Sequence, residues 1–146
     1  DPFQVLRTKW EGWVGELDEP DWRDACMYPH TSVIPAHLRL VLLKFFHMAY
    51  LTHVRLFRAR LRPTPLCSRC GTAPGHFYHM VWECPPLHRY WVSIFAKLSE
   101  VMGLSLELTP RVSLLDIPDD CGGRRGDRTL TGIGTALAKR DIARAW

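Results

Sequence analysis

From Cys26 to Trp82 the sequence has no aspartate or glutamate, although that stretch carries seven Lys/Arg residues and six of the seven histidines. The first 24 residues hold seven acids against three bases, and from Glu83 onward nine bases face eight acids. The formal net charge of +4 thus conceals a strongly cationic middle behind an acidic start. A long apolar run is also missing. The longest, Leu38 to Leu51, is interrupted by Arg39, Lys44 and His47, which makes it too short and too charged to span a membrane. No basic-then-apolar leader opens the chain, and no internal repeat or low-complexity tract stands out. Alternating apolar and polar runs long enough for a sheet are absent, so the expected class is mainly α. A Gly-rich phosphate loop, a nucleophile elbow and an HExxH helix are absent too, which argues against an enzyme.

What is present suits one folded domain. A length of 146 residues permits a real core, and 47% apolar with 23% charged residues is a globular balance. Leu6, Trp10, Trp13, Val14 and Leu17 recur at helical spacing, and "DEPDWRDACMYPH" reads as a turn plus a short helix ending near Pro29. Pro35 suits the first position of a helix whose stripe is Leu38, Leu42, Phe45 and Ala49, flanked by Val41 and Met48. Carried unbroken to Leu61 it would span roughly 40 Å, so a break near Thr52 is expected. Pro63 and Pro65 stop the helical stretch that leads up to them. Pro85 and Pro86 open a helix that Gly103 closes, striped by Trp91, Ile94, Phe95, Leu98, Val101 and Met102. After a loop-rich connection comes a last helix marked by Leu130, Ile133, Leu137 and Ile142. The expected architecture is a small helical domain with an inserted CCHC-type zinc knuckle. Its segments are a Trp-rich acidic lead-in (1–30), basic helices with the knuckle and an aromatic helix (31–105), and a loop with the C-terminal helix (106–146).

Five cysteines are an odd set, and three crowd into one loop, which favours a reducing compartment and metal ligation over a disulfide scaffold. Cys26 reads as a core residue and Cys121 as a loop residue. Cys67, Cys70, His79 and Cys84 spell C-x2-C-x8-H-x4-C. Cysteines two residues apart turn both sulfurs toward one centre, and three thiolates with one imidazole suit tetrahedral zinc. His76 in place of His79 would give C-x2-C-x5-H-x7-C, also geometrically feasible, while His88 reads as a surface residue. Gly71 follows the second cysteine where the backbone must bend, and Gly75 supplies flexibility to return His79. With all four positions filled by protein, the zinc is structural and couples to folding rather than activating water.

The string "HMVWECP" followed by "RYW", together with the ligand spacing, resembles the C-terminal zinc-knuckle region of LINE-type (non-LTR) retrotransposon reverse transcriptase polyproteins. The resemblance extends through "LRLVLLKFFHMAYLT", "HRYWVSIFAKLSEVMG", "LTPRVSLLDIP" and "ALAKRDIARAW", covering about residues 30 to 146. His53 departs from the proline that family members often carry after Tyr-Leu-Thr. The chain begins without Met and ends at Trp146, where family members often continue, so it reads as a piece of a larger protein. The resemblance implies a module contacting template RNA or target DNA, with the rest of the parent reverse transcriptase as a further partner and a cytoplasmic and nuclear setting. Such polymerases need an aromatic-x-Asp-Asp motif. The one Asp pair, Asp119-Asp120, lacks that context, so catalysis is not expected of this chain.

Arg55, Arg58, Arg60, Arg62 and Arg69 are the candidate phosphate contacts. Arg55, Arg58 and Arg62 share a helix face, for which a simply solvated surface is the alternative reading. Phe77, Tyr78 and Trp82 are the candidate stacking rings for unpaired bases, though Trp82, between two ligands, also reads as core, as does Trp91. The alternative function is a structural zinc domain docking onto the polymerase or a protein partner, with Trp10, Trp13 and Trp22 as docking aromatics.

Overall fold

The computed structural model describes residues 1–117 and 125–146, the side chains of 125–127 excepted. Cys121 and the Asp119-Asp120 pair lie outside the described residues. Seven α-helices and one π turn make up the regular structure, and no strand occurs among the described residues.

Helix α1 (Pro2–Val14) starts at Asp1, whose carboxylate accepts the Phe3 amide, and turns Trp10 inward. Trp10 is fully buried and its indole N–H donates to the Phe46 carbonyl at 3.0 Å. Helix α2 (Glu19–Thr31) is capped by Asp18, which accepts the Asp21 amide. Pro29 does not end it. A proline in the final turn forfeits one amide, and the Ser32 amide still closes on the Tyr28 carbonyl at 3.0 Å.

The expected break near Thr52 is present. Helix α3 (Ala36–Phe46) and helix α4 (His53–Arg58) are separate, and Thr52 caps α4 by accepting the Arg55 amide. Neither helix is stopped by proline or glycine. The Ala49 amide reaches the Lys44 carbonyl and the Met48 amide that of Phe45, with Met48 left-handed at φ 53°. At the end of α4, Leu61 reaches Leu56 and Arg60 reaches Phe57, with Arg60 at φ 61°. This is the Schellman termination usually given to glycine, made here by two L-residues. Arg62 therefore lies beyond the helix and shares no face with Arg55 and Arg58.

Helix α5 (Pro85–Met102) ends at left-handed Gly103 and buries Trp91 and Phe95, but Val101 is exposed. Helix α6 (Pro110–Leu115) is a short turn capped by Thr109. Helix α7 (Arg125–Arg144) packs against α3 and α5. Its inner face is not the leucine stripe, since Leu130 and Leu137 are exposed while Thr135, Ala136, Ala138, Lys139 and Ile142 are buried. Small residues let the helix approach closely; a Cβ at Gly132 would overlap the Tyr28 hydroxyl. Lys139, 1% exposed, bonds Asp116 at 2.7 Å, and Asp116 also accepts from Thr135 at 2.7 Å. That pairing is what allows a lysine inside.

Trp10, Phe45, Phe77, Trp91 and Ile142 belong to one hydrophobic cluster, so all three sequence segments share a core. A smaller cluster joins Ile34, Leu38 and Leu42 to Ala136. Trp10 and Trp22 are buried in this core, so neither is open to a partner, and half-buried Trp13 packs against it. Among the described residues no helix is long and apolar enough to cross a membrane.

Candidate metal centre

The ligand loop leaves α4 and closes on itself before α5. The Cys67 amide donates to the Ala73 carbonyl and the Gly75 amide to the Pro65 carbonyl, both at 2.8 Å, and Leu66 forms an isolated bridge with Pro74. Within this neck the Gly71 amide returns to the Cys67 carbonyl at 2.8 Å, with Gly71 at φ 66°. That left-handed residue is the bend that faces Cys67 and Cys70 toward one point. Gly75 has a different role from the flexibility expected of it: a Cβ there would stand 2.7 Å from the Cβ of His53. Close approach of the loop to α4 is what excludes a side chain.

His79 and Cys84 come from the π turn His79–Glu83. The Cys84 amide bonds the His79 carbonyl five residues back at 2.9 Å. In an α-helix, residues five apart sit about 140° apart around the axis. The wider turn brings both side chains to the same side, a use typical of π turns at functional sites. Pro85 and Pro86 then begin α5 without needing the amides that the turn has left unpaired.

The four side chains converge. One ligand atom each of Cys67, Cys70, His79 and Cys84 lies within 4.8 Å of all the others. Cys67 Sγ and Cys84 Sγ are 3.8 Å apart, and Cys70 Sγ is 3.4 Å from His79 Nε2. A tetrahedral ion with Zn–S of about 2.3 Å and Zn–N of about 2.05 Å needs edges of about 3.8 and 3.6 Å. These two edges match those of a tetrahedral site, and the four donors together could hold a metal ion. Electrostatics point the same way. Hydrogen bonds from Thr72, backbone and side chain, and then from the Ala73 amide, lower the Cys70 thiol to about 5. Burial, and then the neighbouring Cys67 sulfur, raise Cys84 to about 11. His76 is exposed and outside the cluster, and His88 is exposed, edge-on to the half-buried Trp82 at 5.5 Å.

Surrounding residues hold the loop in place. Arg69 donates to the Met80 carbonyl at 2.8 Å, bracing the cysteine turn against the π turn. Arg62 donates to the carbonyls of Thr64 and Leu66. His53, 4% exposed and held below the ordinary imidazole range by burial, accepts the Ser68 amide at Nδ1 at 3.4 Å, and the Val54 amide reaches the Gly75 carbonyl. Helix α4 is thus tied to the ligand loop.

Of the sequence-predicted nucleic-acid contacts, Arg55, Arg58 and Arg60 are exposed, and none pairs with an acid among the described residues. Arg62 and Arg69 are half-buried and already spend donors on loop carbonyls. Phe77 is a correction. At 7% exposure its ring lies against Trp10, Trp13, Phe45 and Trp146, so it offers no face to a base. Trp91 is core as expected, its indole donating to the Val81 carbonyl. Cys26 is only half-buried.

One residue missing from the sequence-predicted set is Glu83. It lines a cavity of about 660 Å³ between α1 and the ligand loop, together with Trp13, His76 and Tyr78. Trp13 and Tyr78 stack with centroids 5.2 Å apart. Its solitary place in sequence, the first acid after Asp24, is the available signal.

No protein-family model matches this chain, and no curated protein sequence matches it.

Proposed function

We propose that this protein is a zinc-held nucleic-acid-binding module, of the kind found in the C-terminal region of LINE-type reverse transcriptase polyproteins, contacting template RNA or target DNA. The observation that carries the reading is the exposed, acid-free set Arg55 and Arg58 on α4 and Arg60 just past its end, on a segment fastened to the ligand loop. Cys67, Cys70 and Cys84 would hold zinc as thiolates and His79 through Nε2. The ion supplies folding free energy to the loop and no water activation, because four protein ligands leave no open position. The arginines neutralise backbone phosphates, giving affinity that depends on salt far more than on base sequence. No catalytic step is assigned to this chain; polymerisation would belong to the rest of the parent.

The test is fluorescence anisotropy on zinc-loaded protein with short single-stranded RNA and DNA. Three phosphate contacts on a single strand predict a loss of roughly 20-fold between 50 and 200 mM salt. Arg55→Glu with Arg58→Glu should abolish most binding while zinc content stays at one per chain. Salt-independent or undiminished binding would sink the proposal. A second reading, a structural zinc domain that docks onto the polymerase or another protein, is favoured by Leu51, Phe57 and Leu61, which are exposed in and around α4. Docking through that apolar set would survive high salt, which separates the two.

A further inference from the structure

The cavity between α1 and the ligand loop contains the carboxylate of Glu83. Glu83 is the sole acid between Asp24 and Glu100. Its side chain is exposed and has no hydrogen-bond or ion-pair partner among the described residues. An ionised carboxylate only accepts hydrogen bonds, so it repels phosphate and meets nucleic acid favourably at donors, the base amino groups among them. Beside it the stacked pair Trp13 and Tyr78 forms an aromatic wall, and His76 and Pro74 close the loop side. The floor is Gly12, in the last turn of α1. Packing does not demand it: a Cβ at Gly12 would meet no atom within 4 Å. Its effect is to leave the cavity open. A volume of about 660 Å³ is within the usual range for small-ligand sites.

We infer that this cavity takes one unpaired base presenting an exocyclic amino group, cytosine in particular, against the aromatic wall with its N4 amino group donating to Glu83. This rests on the nucleic-acid reading above and adds base selection to it. Aromatic stacking tolerates every base, whereas a glutamate accepting from cytosine N4 rejects uracil, which presents a carbonyl oxygen at that position.

The experiment compares zinc-loaded wild type, Glu83→Gln and Gly12→Leu on oligocytidine and oligouridine RNA by anisotropy at 50 mM salt, with zinc content and circular dichroism checked for each. The expected result is a preference for oligocytidine on the order of tenfold in the wild type. Glu83→Gln should erase most of it, and Gly12→Leu, which fills the floor with a better helix former, should erase it while retaining oligouridine binding. Equal, salt-sensitive binding of both tracts by the wild type overturns this inference and leaves the module reading standing. A preference that persists in both variants also overturns it. No binding of either tract at 50 mM salt overturns the inference together with the proposed function.

Discussion

The ligand loop is built in two halves by different forces. In residues 77–84, Phe77, Met80 and Val81 are buried, and the Val81 carbonyl takes the indole N–H of a fully buried Trp91. In residues 67–76 only Cys67 and Gly75 are buried, and the rest is a hydrogen-bonded turn around two sulfurs. The second half is therefore a piece of the helical core that happens to present His79 and Cys84. The first half has almost no apolar surface to bury, so a metal ion held by these four side chains would supply what the hydrophobic effect does not. A metal bound there would make the loop less a bead inserted into a fold than a metal-dependent turn grafted onto a metal-independent shoulder.

The comparison breaks most severely at its shared support. Trp91→Ala removes a buried indole and leaves the Val81 carbonyl without its partner, so a loss of about 3–5 kcal/mol is expected. Chemical denaturation should show it as a lower midpoint for the whole chain, and an unchanged midpoint would mean that the second half is not part of the core. Next comes Cys70→Ser, which should weaken metal binding by more than about 100-fold, because even changes outside the ligand set cost 10–100-fold. Amide exchange should then become fast at Cys67, Gly71 and Gly75 while Trp91 and its helix stay protected. Uniform loss of protection would show that the two halves fold as one unit. The smallest effect is expected for Gly75→Ala, which forces a Cβ against His53 and should cost about 1–3 kcal/mol. That variant should retain zinc yet expose the Ser68 and Val54 amides to exchange; intact protection there would leave α4 independent of the loop.

Much of this is legible in the sequence because the signals are local. Asp1, Asp18, Thr52 and Thr109 cap helices by their own side chains, Pro85 and Gly103 bracket α5, and C-x2-C-x8-H-x4-C carries the ligand set in its spacing. The misses are all tertiary. Met48 and Arg60 accept left-handed backbone that nothing in their chemistry advertises, so the ends of α3 and α4 are invisible in sequence. The inner face of α7 is made of small residues and a paired lysine, while large Leu130 and Leu137 stay outside, which reverses the usual reading of an apolar stripe. Phe77 reads as a loop aromatic free to stack, because its neighbour Trp10 lies far away in sequence. Glu83 is equally hidden, because its meaning lies in the cavity it shares with α1.

The π turn between the last two ligands has a consequence for how such loops change over time. An H-x3-C spacing would put the two ligands one residue closer, near enough for an ordinary α turn to place them on one side. The H-x4-C spacing has one residue more, and the chain absorbs it as the wider turn His79–Glu83. Helix type and ligand spacing are thus a single variable. Deleting one residue from Met80–Glu83 is expected to be tolerated by the metal site, because an α turn then keeps His79 and Cys84 on one side.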